Sequence, residues 1–340
     1  MLTLDDIRGF YKFILGREMN PQEVIATDLH MEAVVNEQFE MARRKFLDSD
    51  EFFSILLESF YDKLMPNSKI VLYKTDMNFE IYLDLRQLHV TLGIINDNYE
   101  RAEIGLLRRA VRRTDTFIDV GGNAGYYSLA IASKPDFEGR VVAFEPLTSI
   151  RSLFQRSVEF NDLQSRIRIL PFALAAEPGS MAIVHSENSM NIGGSHLSRS
   201  DKIPNSYHEY VAVETLDRIA VDLKLERIDV MKIDIEGAEG LFFAGARQMI
   251  ERDLPTMLVE VNTSQLQELS GWGPDDLINW LSERGYQVTA VLPTSLVPVA
   301  TGAGLSRVMP LSSILNVFCV HESRIDETRM LIPELQEIIK

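Results

Sequence analysis

The chain has 340 residues, 46% of them hydrophobic and 25% charged, with a formal charge of −16. This is an ordinary globular composition with room for two domains, and its negative charge argues against a nucleic-acid surface and against docking on anionic lipid. The single cysteine, Cys319, excludes an internal disulfide. The N-terminus lacks the pattern of a signal peptide, and no run of about 18 apolar residues could span a bilayer. We therefore expect a cytoplasmic protein without a membrane span.

Residues 1–65 are predicted to form a small bundle of three short helices. Apolar side chains such as Ile7, Phe10 and Ile14 recur at helical spacing, and Asn20-Pro21 is a typical helix start. A bundle of this size is marginal alone, so we expect its aromatic side chains to pack against each other and against the next domain. The alternative is a module that contacts a protein or glycan partner.

A boundary is predicted at Pro66-Asn67-Ser68, within a lead-in segment that covers residues 66–115. Two strands are expected there, at residues 70–73 and 79–85, followed by a helix at residues 98–113. This segment is predicted to cover one edge of the sheet that follows.

From residue 116 to residue 325 strands and helices alternate, which predicts an α/β domain with a mostly parallel sheet. A polar insertion spans residues 185–207, and a loop of about twenty residues separates the last two strands. The lack of a clear helix between those two strands indicates an antiparallel edge of the sheet, with an antiparallel C-terminal strand. That ending is typical of Rossmann-like class I methyltransferases and unusual for NAD-binding Rossmann domains. Residues 326–340 are predicted to form a C-terminal helix.

The first strand of this domain leads into a glycine-rich turn and a helix, the arrangement that brings backbone close to a nucleotide-like ligand. The turn carries Asp119, Gly121, Asn123 and Gly125. Its Gly-Gly-x-x-Gly spacing departs from the Gly-x-Gly-x-x-Gly of dinucleotide sites, and an acidic residue before it would repel a pyrophosphate. The turn therefore favours S-adenosylmethionine over NAD. The alternative, tight packing of strand against helix, needs only one of the glycines.

The ends of the next two strands extend this prediction, because ligands of open α/β sheets bind outside the carboxyl ends of the strands. Glu145 ends the second strand, and a carboxylate there can accept hydrogen bonds from both ribose hydroxyls. Phe172 and Ala173 follow the third strand, where an adenine ring would lie. The plainer interpretations are a solvated glutamate and a core phenylalanine.

The fourth strand ends in alternating charges, Lys232, Asp234 and Glu236, which point to one side of an otherwise apolar strand. Such charges are costly unless they are paired or face a cleft. A structural ion pair between Lys232 and Asp234 is the alternative to a functional cluster. Glu260 and Asn262, on the fifth strand, are expected beside these residues.

With these residues in view, the chain resembles the FkbM family of S-adenosylmethionine-dependent methyltransferases over about residues 80–320. The N-terminal helices resemble, more weakly, an accessory module found ahead of such domains. The resemblance lies in a set of motifs: Tyr99-Glu100, Phe117–Leu129, Val142–Pro146, Asn161, Ala173-Leu174, Asn191–Ser195, Glu214–Asp217 and Lys232–Glu239. It implies methyl transfer to an oxygen, usually a hydroxyl of a sugar, glycolipid or polyketide-like product.

Methyl transfer to a hydroxyl needs alignment of the two reactants and removal of the hydroxyl proton. Asp234 and Glu236 are the candidate base or orienting groups, and His196 in the polar insertion is a third. A divalent metal is a second route to an activated hydroxyl. Asp234, Glu260 and Asn262 lie where the similar, metal-dependent catechol-type methyltransferases place oxygen ligands, which Mg²⁺ prefers.

Two other functional classes remain open at this stage. One is a methyltransferase-like domain that binds the cofactor and serves as an interaction module without turnover. The other is an NAD-dependent oxidoreductase, which the glycine spacing and the terminal strand pair disfavour.

Overall fold

A computed structural model describes residues 69–85, 87–184, 196–198, 208–292, 294–300, 304–305 and 314–335. The chain divides into two units between Lys69 and Ile70, and the description below concerns the second. The helical bundle predicted for residues 1–65 lies outside the described residues. Among the described helices, none combines the length and the apolar character needed to cross a membrane.

The second unit is built from strands and helices that alternate along most of its length. The strands are β1 (Ile70–Lys74), β2 (Glu80–Asp84), β3 (Thr116–Val120), β4 (Arg140–Phe144), β5 (Ile167–Leu170), β6 (Ala173–Leu174), β7 (Gly179–Val184), β8 (His196–Ser198), β9 (His208–Glu214), β10 (Val230–Ile233), β11 (Thr256–Asn262), β12 (Tyr286–Leu292), β13 (Ser295–Val299) and β14 (Ile314–His321). The α-helices are α1 (Leu88–Ile95), α2 (Arg101–Ala110), α3 (Tyr126–Ala132), α4 (Thr148–Phe160), α5 (Leu216–Asp222), α6 (Glu239–Gly245), α7 (Arg247–Asp253), α8 (Thr263–Ser270), α9 (Pro274–Ser282) and α10 (Ile325–Leu331).

The main sheet has eight strands in the order β13-β12-β14-β11-β10-β3-β4-β5. Strands β5, β4, β3, β10 and β11 are parallel, and β14 runs antiparallel to both β11 and β12. This confirms the predicted mostly parallel sheet with an antiparallel C-terminal strand, the arrangement of class I methyltransferases.

The predicted antiparallel edge is confirmed, and β14 lies inside it, between β11 and β12. The outermost strand is β13, in a stretch where the sequence pattern predicts a loop. Pro298 within β13 weakens the strand pattern, and an edge strand tolerates proline because one side of its backbone needs no partner. In contrast, β14 is buried from Asn316 onward, as expected of an inner strand.

Helices cover both faces of the main sheet, as alternation of strands and helices predicts. On one face, Phe117, Leu258 and Phe318 pack against α2, α3, α4 and α10. On the other face, Met231 and Val259 pack against α5, α6, α7, α8 and α9. Because both faces are buried, the inner strands are apolar along most of their length. Polar side chains on them therefore need a specific explanation.

The lead-in segment forms a β1–β2 hairpin that hydrogen-bonds to α4. The Glu80 amide donates to Asn161 Oδ1 at 2.8 Å, and the Tyr82 amide donates to Ser157 Oγ at 2.9 Å. Asn161 Nδ2 returns a bond to the Glu80 carbonyl at 2.6 Å. The hairpin thus joins a helix instead of the predicted sheet edge. The predicted helix at residues 98–113 is α2, and α1 precedes it.

A second sheet of four strands, in the order β6-β9-β7-β8, follows β5. Strands β7 and β9 pair antiparallel from Gly179 opposite Val213 to Val184 opposite His208. These two strands flank the predicted polar insertion and were not foreseen. Within the insertion itself, residues 196–198 form β8 and the remainder lies outside the described residues.

Candidate functional site

The glycine turn after β3 is fixed between the ends of two neighbouring strands. The amides of Gly121 and Gly122 both donate to the Phe144 carbonyl at the end of β4, at 3.1 and 2.9 Å. Gly121 has a φ of +81°, and a Cβ at this position would lie 1.8 Å from the Asp234 carbonyl oxygen. Only glycine fits here, because the backbone that follows β10 approaches so closely.

Gly125 serves the packing of helices. It precedes α3 with a φ of +89°, and a Cβ there would lie 2.2 Å from the Phe154 ring of α4. Of the predicted turn residues, Gly121 and Asn123 line the cleft described below, whereas Gly125 and Asp119 are absent from its lining. Close packing of the turn before α3 against α4 therefore requires glycine at this position, and the predicted cofactor contact of Gly125 stays a prediction.

Glu145, at the end of β4, is held by two backbone amides. Asn123 N donates to Oε2 at 2.9 Å, and Leu147 N donates to Oε1 at 2.8 Å. Asn123 has a φ of +46°, so the turn bends to reach this carboxylate. Burial raises the pKa of Glu145 to about 7, although the two amides oppose that shift. Each carboxylate oxygen keeps a lone pair for a further donor.

A cleft open to solvent runs across the carboxyl ends of β5, β4, β3 and β10. One end is apolar and the other carries carboxylates. The predicted site residues among its lining are Gly121, Asn123, Glu145, Phe172, Ala173, Asp234 and Glu236.

Asp119, at the end of β3, lies beneath the cleft. Only 1% of the residue is exposed, and Ser128 Oγ donates to its Oδ2 at 2.6 Å. Its Oδ1 has no hydrogen-bond partner within the described part of the chain. Burial raises the pKa of Asp119, and the charge of Lys232 opposes this.

Lys232 on β10 lies directly opposite Asp119 on β3. Its Nζ is 2.6 Å from Asp234 Oδ2 and 5.0 Å from the centre of the Tyr127 ring. Burial alone would lower the pKa of Lys232, but Asp234, Asp119 and Glu100 raise it above its ordinary value. The ion pair that stood as the alternative interpretation is therefore present, and its carboxylate also lines the cleft.

Asp234, Glu236 and Glu260 bring their carboxylates together at this end of the cleft. One oxygen from each lies within 4.8 Å of the others. Burial, and next the charge of Asp234, raises the pKa of Glu236 to about 8. The same two causes raise the pKa of Glu260 well above its ordinary range.

This trio differs from the set considered for a metal in the sequence analysis. Asn262 Oδ1 accepts a hydrogen bond from Ser264 Oγ at 3.0 Å and one from the Gln265 amide at 3.4 Å, so it caps α8. The third oxygen ligand of the trio comes from Glu236 instead. Its φ of +52° turns the chain immediately after β10.

His196, the third catalytic candidate, lies on β8 opposite Val184 in the second sheet. Its side chain is outside the described part of the structure. The structure thus brings Asp234 and Glu236 together and leaves His196 a prediction.

Two glutamates near the site had no role in the sequence analysis. Glu239 is 1% exposed and accepts hydrogen bonds from the amides of Gly237 and Ile235, at 3.2 and 3.3 Å. Burial raises its pKa to about 7, against these bonds. In the sequence, the feature that could have pointed to Glu239 as a site residue is its position three residues after Glu236, in the first turn of α6.

Glu100 is the second, and it comes from the lead-in segment. Its Oε2 accepts a hydrogen bond of 2.5 Å from the Tyr127 hydroxyl. Burial raises the pKa of Glu100 to about 7, and Lys232 opposes the shift. Tyr99-Glu100 is one of the motifs that resemble the family, but the sequence predicts no function for Glu100. A glutamate just before a helix is common and does not by itself indicate a site.

Comparisons with known proteins agree on the class of domain. The model of the methyltransferase FkbM domain matches residues 119–288, which is half of the chain. Methyltransferase sdnD of Sordaria araneosa is 29% identical over 150 residues, covering 36% of this chain and 56% of the relative. Methyltransferase 1 of Beauveria bassiana is 28% identical over 143 residues, covering 37% of this chain and 56% of the relative. The chain thus spans little more than half the length of these relatives.

Among solved structures, the chain is similar to methyltransferase FkbM from Methylobacillus flagellatus. The two share 19% sequence identity with a TM-score of 0.38, over 60% of this chain and 43% of the other.

Proposed function

We propose that this chain, which belongs to the methyltransferase FkbM domain family, is an S-adenosylmethionine-dependent O-methyltransferase. Its acceptor is a hydroxyl of a sugar, a glycolipid or a secondary metabolite. The observation that carries the proposal is the position of Glu145, held by two backbone amides between the glycine turn and an apolar pocket.

The residues of the cleft suit a nucleoside. Phe172, Ala173 and Leu174 offer apolar contact for a purine ring at one end. Glu145 stands next along the cleft, and its remaining lone pairs match two vicinal hydroxyls. Asn123 Oδ1 is buried without a hydrogen-bond partner among the described residues, so it is available to a donor on the ligand. These features fit the adenosine part of S-adenosylmethionine.

The acidic end of the cleft suits the methyl-bearing sulfur of S-adenosylmethionine and the acceptor hydroxyl. When bound, S-adenosylmethionine supplies a methyl group on a positively charged sulfur. Asp234 and Glu236 line the cleft at this end and can orient the acceptor hydroxyl and take its proton. Lys232 keeps Asp234 in place through the 2.6 Å ion pair. His196 remains a further candidate for this role.

A divalent cation is a second route to the same step. The close approach of Asp234, Glu236 and Glu260 favours it, since three carboxylates suit a hard cation such as Mg²⁺. A cation held there would lower the pKa of a bound hydroxyl. Turnover is then expected to stop in EDTA and to return with Mg²⁺. If EDTA left turnover unchanged and Mg²⁺ added nothing, the metal route would be dropped.

Calorimetry with S-adenosylhomocysteine and with NADH tests the cofactor. Binding of S-adenosylhomocysteine alone is expected, and binding of NADH alone would overturn the proposal in favour of an oxidoreductase. Incubation with labelled S-adenosylmethionine and extracted glycans or glycolipids tests turnover. Binding without methylation of any hydroxyl acceptor would favour an interaction module.

The ribose assignment is tested by Glu145→Ala. We expect S-adenosylhomocysteine to bind about 1–3 kcal/mol more weakly, because two hydrogen bonds to the ligand are lost. Glu138→Ala is the matched control, since this glutamate is exposed and pairs only with Arg113 in the described structure. Thermal unfolding of the same samples separates lost binding from a disturbed turn. Unchanged affinity in Glu145→Ala would refute the assignment.

A further inference from the structure

Glu100 adopts a backbone conformation that its place before α2 does not require. Its φ is +43°, in the left-handed region that disfavours residues other than glycine. A glutamate at a helix N-terminus usually serves the helix, yet the Glu100 side chain makes no capping hydrogen bond to α2. The strained backbone instead turns the side chain inward, toward α3 and the sheet.

The inward position brings the Glu100 carboxylate against the charged end of the site. Oε2 accepts the Tyr127 hydroxyl, and the ring of the same tyrosine lies against Lys232 Nζ. Glu100 is half-buried. Its Oε1 makes no hydrogen bond within the described structure, so one oxygen remains for a ligand.

The strand order indicates which part of a ligand would come here. A nucleoside with its ring on Phe172 at β5 and its ribose on Glu145 at β4 directs its 5′ substituent over β3 and β10. These two strands carry Asp119 and Lys232, and Asp234 follows the second strand directly. Glu100 adds a third carboxylate beside the one lysine. The group has an excess of negative charge, and Asp119, which is 1% exposed, has a buried Oδ1 without a hydrogen-bond partner in the described part.

We propose that Glu100 is a ligand-binding residue of this site that accepts the ammonium group of an α-amino acid carried on the 5′ position of the nucleoside. The lead-in helix α2, which precedes the matched family domain, thereby completes the cofactor site. This inference rests on the proposed function and adds a contact for the cationic end of the cofactor.

A pair of ligands isolates this contact. S-Adenosylhomocysteine carries the amino acid, whereas 5′-methylthioadenosine keeps the adenine, ribose and sulfur without it. In Glu100→Gln the affinity for S-adenosylhomocysteine is expected to fall about tenfold, as a charge-assisted hydrogen bond becomes a neutral one. The affinity for 5′-methylthioadenosine is expected to stay within about twofold. Calorimetry measures both.

Matched controls separate binding from structure. Glu145→Ala is expected to weaken both ligands, because both carry the ribose. The deaminated analogue of S-adenosylhomocysteine is expected to bind to the unmodified protein about tenfold more weakly than S-adenosylhomocysteine itself. This control does not depend on the folding of any variant. Equal changes for both ligands in Glu100→Gln, or no change for either, would overturn the proposal. If the unmodified protein bound neither ligand, the proposed function itself would fail.

Discussion

The two ends of the main sheet bury acidic residues in opposite ways. At the amino ends of the strands, Asp229 accepts the Thr116 amide at 3.0 Å and lies 3.0 Å from Arg227, with Arg112 and Arg324 at 3.5 and 3.7 Å. Nearby, Asp115 pairs with Arg112 and Asp253 with Arg252. Every one of these carboxylates has a cation beside it.

At the carboxyl ends of the same strands, carboxylates outnumber cations. Asp119, Asp234 and Glu260 share Lys232 as the one basic side chain that the structure describes among them. A buried charge without a partner costs free energy, so it persists where function requires it. The comparison teaches that burial of acids alone is no sign of a site, whereas an excess of one charge beside a cleft is.

The largest expected effect is the loss of turnover in Asp234→Asn, which tests the contrast between the two ends of the sheet. Turnover should fall about 10²–10⁴-fold, because the variant cannot take a proton or hold a charged partner. Affinity for S-adenosylhomocysteine should change far less, since Glu145 and the apolar end of the cleft are intact. Labelled methyl transfer and calorimetry measure the two quantities. Turnover equal to that of the unmodified protein would remove Asp234 from the reaction.

The opposite end should respond to Asp229→Asn with lost stability and retained activity. We expect the free energy of unfolding to fall by about 2–4 kcal/mol, because three arginines lose their shared carboxylate. Turnover per folded molecule should stay within about twofold. Urea unfolding and an activity assay on the folded fraction test this. A large loss of turnover at unchanged stability would break the distinction between the two ends.

Local sequence predicted the parts of the site that follow strands directly. Asp119, Glu145 and Asp234 each stand at a strand end, and a parallel sheet brings such ends to one edge. The topology was therefore enough to expect them together. The sequence does not predict which hydrogen bonds each carboxylate oxygen makes within the fold. Glu145, for example, accepts hydrogen bonds from the backbone amides of Asn123 and Leu147.

The features missed depend on contacts between distant segments. Glu100 reaches the site through Tyr127, a partner 27 residues away that no spacing rule connects to it. The edge strand β13 was hidden by Pro298, and β7 and β9 form a sheet only by pairing across the polar insertion. Gly125 is a further case, since its contact with the Phe154 ring, on a helix more than twenty residues later, requires glycine whether or not a ligand lies near it.

The smallest predicted effect concerns the pH dependence of stability. Burial raises the pKa of Glu239 in the folded protein to about 7, above the ordinary value of a glutamate. The folded state therefore holds more protons than the unfolded state between about pH 4.5 and 7. This stabilising contribution is complete below the unfolded pKa and is lost as the pH rises through the folded pKa. Since one pKa unit corresponds to about 1.4 kcal/mol, we expect the free energy of unfolding to fall by about 2–3 kcal/mol from this group between pH 5 and 8.

Glu239→Gln should remove that part of the slope, because the amide does not titrate. Glu251→Gln is the matched control: it also removes one negative charge, but from an exposed glutamate paired with Arg247 and Arg284. Chemical unfolding of all three proteins from pH 5 to pH 8 measures the difference. The slope should flatten in Glu239→Gln and persist in Glu251→Gln. If both variants kept the slope of the unmodified protein, burial of Glu239 would not lower the stability at high pH. The energetic contrast with the amino ends of the strands, where carboxylates pair with arginines, would then be contradicted.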